Sequence, residues 1–134
     1  MRVLVDTNIW SLALRRRQPT DDPAIQELTR LIQQTQVVML GVIRQEILSG
    51  IREVEQFERL RTKLWAFPDF PLTTDDFETA AQFFNQCRAK GIQGSNTDFL
   101  LCAVSYRHNF PIFTQDRDFE HFQKHLSIRL HRWE

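Results

Sequence analysis

The chain has 134 residues, 42% of them hydrophobic, with 17 basic and 17 acidic side chains and a formal net charge of +0. That length is enough for one domain, residues 1–134, with a sizeable core. The balanced charge argues against a nucleic-acid binder held by bulk basicity, and no apolar run is long enough to span a bilayer.

Strand 1 is expected over Arg2 to Asp6, where Val3, Leu4 and Val5 run unbroken, as in a strand covered on both faces. No apolar leader with a small-residue cleavage site follows Arg2, so the expected setting is soluble and cytoplasmic, with no membrane contact. Thr7 to Arg16 reads as a helix ended by Gln18-Pro19, with a basic run at Arg15, Arg16 and Arg17. Asp22 then Pro23 reads as an N-cap and a proline at the first helical position, opening a helix with Ile25, Leu28, Leu31 and Ile32 on one face. Val37 to Leu40 is a second short strand, and Val42 to Gly50 a helix. Ile51, Val54, Phe57, Leu60 and Leu64 trace the face of another.

Asp69 to Leu72 is a connector or short strand. Asp75 and Glu78 have capping-box spacing, with Phe77, Ala80, Ala81 and Phe84 as the buried face of the helix they open. Gly91 to Thr97 is a loop, and Asp98 to His108 a central helix, apolar on several sides. Pro111 to Thr114 is a strand, Phe119 to His125 a short helix and Ser127 to Leu130 a last strand. Cys87 and Cys102 fall within helical segments without metal-ligand spacing, and read as small core residues in a reducing compartment. Strands alternating with helices predict an α/β fold with a mostly parallel central sheet and helices on both faces. In such sheets ligands sit beyond the carboxyl ends of the strands.

Five acids stand beside apolar runs: Asp6 after VLV, Glu46 in VIRQEIL, Asp98 before FLLCAV, and Asp116 and Asp118 in IFTQDRDF. Singly, each has a structural explanation. Asp6 fits a helix cap, Asp98 favours a helix dipole, Asp116 and Asp118 fit caps, and Glu46 fits a solvated helix face. Jointly they differ, because parallel strands ending at Asp6 and near Asp116 bring both to one edge, where the Asp98 helix also begins. Each carboxylate pair at about 4 Å repels by about 1 kcal/mol in water and about 4 kcal/mol at an effective dielectric of 20. An oxygen-only cluster of this kind suits Mg²⁺ or Mn²⁺ better than zinc, and the usual chemistry of such a site is phosphoryl or phosphodiester chemistry, with metal polarising phosphate and activating water.

The motifs V-D-T-N at Val5 to Asn8, E-I-L-S-G at Glu46 to Gly50, D-F-L-L-C-A at Asp98 to Ala103 and T-Q-D-R-D-F at Thr114 to Phe119 occur in that order along nearly the whole chain. In this the chain resembles PIN-domain ribonucleases, most closely the VapC-type toxins of toxin–antitoxin pairs. The resemblance implies a PIN-like fold. It implies that Asp6, Glu46, Asp98 and Asp116 form an acidic quartet holding Mg²⁺ or Mn²⁺ and carrying the catalysis. Thr7, Asn8 and Thr114 match the family's supporting polar residues, and Asp118 the second acid of the last motif, assisting the metal or capping the short helix. It also implies hydrolysis of an RNA substrate, a homodimer, and inhibition by a small antitoxin protein. The segment Gly41 to Gln45 departs from the pattern in lacking the Ser or Thr often found before the Glu46 position.

Two other functions fit part of the pattern. One is a catalytically silent PIN-like module that binds RNA or a protein. The other is a phosphatase with an Asp nucleophile, against which stands Asn8 two residues after Asp6. Of the remaining features, Arg44, Arg88, Lys90 and Arg117 lie nearest the expected mouth in sequence, with Arg117 placed to hold the acids on either side of it or to touch phosphate. The Arg15–Arg17 run reads as a solvated helix end carried away from that mouth. His121 and His125 have zinc-compatible i, i+4 spacing but no third ligand, and read as surface residues. Trp10, Trp65, Phe67 and Phe70 are candidates for base stacking or, more commonly, for core and interface packing.

Overall fold

Val3, Leu4 and Val5 form strand β1 and are exposed by 2%, 0% and 0%. Successive strand side chains point to opposite faces, so both faces of β1 are covered. In this computed structural model, which describes residues 1–15 and 21–133, β1 pairs in parallel with β2 (Val37–Val38) and with β3 (Ile112–Phe113). The strand order is β2-β1-β3, with Val3 opposite Val37 and Leu4 opposite Ile112. Asp69 to Leu72, expected as a connector or short strand, and the expected strand Ser127 to Leu130 each contribute one parallel bridge, Met39 with Asp69 and Ile112 with Leu130. Around these, few backbone bonds form, such as Phe70 N–H to the Met39 carbonyl at 2.8 Å and Ile112 N–H to the Arg129 carbonyl at 2.8 Å.

The helices are α1 (Thr7–Arg15), α2 (Pro23–Gln33), α3 (Gly41–Leu48), α4 (Val54–Leu64), α5 (Thr74–Ala89), α6 (Asn96–His108) and α7 (Asp118–Gln123). Asp22 caps α2 as its sequence predicts, accepting from Ala24 N–H at 2.9 Å. The Gln18-Pro19 break and Arg16 and Arg17 of the basic run lie outside the described residues. Among the described residues, no helix is long and apolar enough to cross a membrane.

Three helix expectations need correction. Helix α5 opens on Thr73 and Asp76, whose carboxylate accepts from Thr73 N–H at 2.9 Å, rather than on Asp75 and Glu78. Its inward face is Asp76, Ala80, Phe83 and Cys87, while Phe77 is 53% exposed and Ala81 is also at the surface. Both sets of positions have helical spacing, and the deciding fact is the ion pair that draws Asp76 inward. In α4, Val54 is the first residue and stands exposed, while Leu60 and Leu64 are buried. Helix α6 begins two residues before Asp98, because Ser95 and Asp98 form a capping box. Ser95 Oγ accepts from Asp98 N–H and Asp98 Oδ2 from Ser95 N–H, both at 3.0 Å.

From Phe99 to Ser105 every residue of α6 is buried, so it is central as expected. Cys87 and Cys102 are buried free thiols. Arg44 is structural, tying α3 to Asp69 Oδ1 at 3.0 Å, to the Leu64 carbonyl at 3.0 Å and to the Phe67 carbonyl. It is not a residue of the mouth.

Gly94, in the loop before α6, is needed for close packing. A Cβ there would lie 2.7 Å from Phe122 Cζ and 2.9 Å from Phe99 Cε2. Gly94→Ala is therefore expected to destabilise the protein by about 1–3 kcal/mol. An unchanged urea midpoint would show that the two rings move aside freely.

Candidate active site

Strand β1 ends on a carboxylate because that carboxylate joins three segments. The Asp6 N–H still belongs to the sheet, donating to the Phe113 carbonyl at 2.9 Å, and its own carbonyl accepts from Ile9 N–H at 3.1 Å to start α1. Its Oδ1 accepts from Thr7 N–H at 2.7 Å. Its Oδ2 accepts from the Thr114 hydroxyl at 2.8 Å and from Asn8 Nδ2 at 3.2 Å. Thr114 Oγ1 in turn accepts from Asn8 Nδ2 at 3.2 Å and from Asp116 N–H at 3.0 Å, and Asn8 Oδ1 accepts from Gln115 N–H at 3.1 Å. Asn8 and Thr114 thus lock the end of β1 to the loop after β3.

Asp116 Oδ1 accepts from Asp118 N–H at 2.9 Å and so fixes the start of α7. Asp118 is the first residue of that helix and does not line the acidic cleft. Glu46 projects from α3 and accepts from the Thr7 hydroxyl at 2.5 Å. The hydroxyl that the segment before Glu46 lacks is supplied across the fold by Thr7.

Asp6, Asp98 and Asp116 line one cleft of about 650 Å³, together with Thr7, Asn8 and Gln115. Glu46 lines an adjoining cavity of about 320 Å³ and meets the cleft through Thr7. Burial pushes the Asp6 carboxyl up to about 6, helped by the charges of Asp98 and Glu46 and opposed by the Thr114 and Thr7 hydrogen bonds. Burial also raises Asp98, helped by Asp116 and Asp118 and opposed by Ser95. Among the described residues, no three His, Cys, Asp or Glu side chains form a ready-made metal cage. The acids instead share a cleft, an arrangement that suits a cation keeping waters and taking substrate oxygens as ligands.

The PIN domain family model matches residues 3–125. The chain belongs to the PIN domain family. Solved structures of similar fold include FitAcB from Neisseria gonorrhoeae, 19% identical with a TM-score of 0.76 over 97% of this chain and 96% of that one. VapBC2 from Rickettsia felis, bound to a DNA fragment from their promoter, is 17% identical with a TM-score of 0.79 over the whole of both chains. A toxin–antitoxin complex from Klebsiella pneumoniae is 22% identical with a TM-score of 0.63, covering 87% and 89%. No curated protein sequence matches this chain.

One residue of this PIN domain is placed where its sequence position did not lead. Arg15 lines both the acidic cleft and the Glu46 cavity, as does Ser11. Helix α1 has nine residues, about 13 Å at 1.5 Å per residue, and helical side chains lean back toward the N-terminus. The long Arg15 side chain therefore returns to the cleft. The signal was present as Thr7, Ser11 and Arg15, a polar stripe at four-residue spacing.

Arg117 pairs with Glu120 at 3.5 Å and is otherwise solvated, so it does not hold the flanking acids. His121 and His125 are exposed, as expected. None of the four aromatic stacking candidates lines the cleft. Trp10 is buried edge-on against Phe67 at 5.0 Å, Phe70 packs with Phe110 and His108, and Trp65 is exposed beside Arg61.

Proposed function

We propose that this PIN domain, residues 1–134 acting as one unit, is a divalent-metal-dependent endoribonuclease and the toxin of a type II toxin–antitoxin pair. The observation that carries the proposal is the convergence of Asp6, Asp98 and Asp116 on one cleft, with Glu46 tied to its rim by Thr7. An oxygen-only donor set in which burial, helped by neighbouring acids, raises the Asp6 and Asp98 carboxyls is short of positive charge, and Mg²⁺ or Mn²⁺ fits that chemistry. When bound, such a cation would polarise the scissile phosphate and make a water acidic enough to attack it.

The protein's part is to hold the acids still. Asp6 is fixed by three side-chain and backbone donors, Asp98 by the Ser95 capping box, Asp116 by the start of α7, and Glu46 by Thr7. Fixed carboxylates lose little further order when the substrate arrives. The toxin–antitoxin complex among the structural neighbours supports a small antitoxin protein as partner; the proposed working unit is a cytoplasmic homodimer.

Purified protein is expected to cleave unstructured RNA with Mg²⁺ or Mn²⁺ and to stop when EDTA is added. Absence of cleavage under all metal conditions would favour a silent PIN-like module that binds RNA or protein.

A further inference from the structure

The acidic cleft shares lining residues with two other cavities. Through Gln115 it adjoins a cavity of about 400 Å³ lined by Arg132 and Trp133. Through Ser11 and Arg15 it adjoins the Glu46 cavity, which Arg52 and Gln56 also line. Asp6, Asp98 and Asp116 therefore occupy the middle of three neighbouring spaces, with an aromatic residue at one end and arginines at both. Among the described residues, Arg15, Arg52 and Arg132 form no ion pair. The carboxylates that share these outer cavities are already engaged, Asp22 as the cap of α2 and Glu46 with Thr7.

Trp133 is held in place. Its ring lies 4.7 Å from Phe113 of β3. The segment carrying it is pinned by His131, whose N–H donates to the Ile112 carbonyl at 2.7 Å and whose Nε2 meets Glu27 at 2.5 Å. Trp133 is half-buried and lines the outer cavity, so a fixed indole faces the space next to the acids.

We infer that single-stranded RNA crosses the acidic cleft along these three cavities, with a base stacked on Trp133 and flanking phosphates on Arg132 at that end and on Arg15 and Arg52 at the other. The inference rests on the nuclease function proposed above. A chain of zero net charge has no bulk attraction for a polyanion, so the binding force has to come from locally placed cations. An indole platform selects single strands, because bases in a duplex are already stacked on one another.

The test is binding, separated from turnover. Anisotropy of a fluorescent, unstructured RNA oligonucleotide is read with Ca²⁺ replacing Mg²⁺, and a gel verifies that the RNA stays intact. Trp133→Ala is expected to weaken binding about tenfold, Trp133→Phe to restore most of it, and both to bind an abasic oligonucleotide equally. Arg52→Ala is expected to reduce the slope of log affinity against log salt by about 0.7, while Trp133→Ala leaves that slope unchanged. Unchanged affinity in Trp133→Ala with an unchanged slope in Arg52→Ala overturns the inference and leaves the outer cavities to a protein ligand. Absence of RNA binding by the wild type also overturns it. The two proposals fail separately: metal-dependent cleavage with unaltered binding by the variants defeats only the track, and altered binding without cleavage by the wild type defeats only the nuclease.

Discussion

Asp6→Asn is expected to lower metal-dependent RNA cleavage by about a hundredfold or more while raising the melting temperature of the metal-free protein. The loss follows from removing one negative ligand where several kcal/mol of charge stabilisation is needed. The gain follows from linkage. Folding moves the Asp6 carboxyl from 3.8 to about 6, so the folded state favours its protonated form. That contribution is fully present below about pH 3.8 and is lost as pH rises through about 6. At about 1.4 kcal/mol per pH unit, ionised Asp6 costs the fold up to about 3 kcal/mol at neutral pH.

Asparagine removes the charge but places an amide NH₂ or a carbonyl where Thr114 and Asn8 both donate to Oδ2. One mismatched hydrogen bond takes back about 1 kcal/mol. The net is a rise of a few degrees at pH 8, vanishing as the pH falls below 4. Adding Mg²⁺ should raise the melting temperature of the wild type and not that of the variant. Full cleavage by the variant would move the chemistry to another site or to a contaminant. A melting temperature that falls at pH 8 would show that the hydrogen-bond loss outweighs the charge.

The largest effect on stability is expected at Asp76. This carboxylate is fully buried between two helices. One oxygen accepts from Arg107 Nε at 2.8 Å and meets His108 Nε2 at 2.9 Å, while the other accepts from Thr73 N–H at 2.9 Å. It joins the start of α5 to the end of α6. Asp76→Ala should cost about 2–4 kcal/mol, since it removes a helix cap and the charge-assisted hydrogen bonds by which the partly exposed Arg107 and His108 hold α6 to α5. Burial alone would raise this carboxyl, but the bonds from Thr73, Arg107 and His108 outweigh it and hold the group below 3.8. Its contribution is therefore present above about pH 3.8 and lost as pH falls through the lower folded value. Urea unfolding at pH 7 and pH 3 reads both effects. The two proteins should differ widely at pH 7 and less in acid, and a difference under about 1 kcal/mol at pH 7 would mean that water replaces the carboxylate.

The acids of the cleft were legible in the sequence because each stands beside an apolar run. An unbroken VLV predicts a strand covered on both faces, and parallel pairing then fixes which edge Asp6 and Asp116 share. Position along one helix was less legible. The α5 face turned on whether Asp76 or Phe77 points inward, and apolarity favoured the wrong one, since the ion pair with Arg107 is visible only once α6 is packed alongside. Arg15 was misplaced by treating its helix as a rod and neglecting the backward lean of a long side chain. Trp133 gave no local signal, because its place beside the cleft depends on His131 reaching Glu27, 104 residues away in sequence.

The two single-residue bridges that close the sheet also limit how this chain can associate. Among the described residues the ladder beyond β2 and beyond β3 is a single-residue bridge, so each margin of the sheet is a short, barely paired segment rather than a long flat strand. Such a margin is a poor template for a second protein chain that would lengthen the sheet. Recognition by any companion is left to side chains on helices and loops, where surface mutation can retune it without disturbing the strands that position the acids.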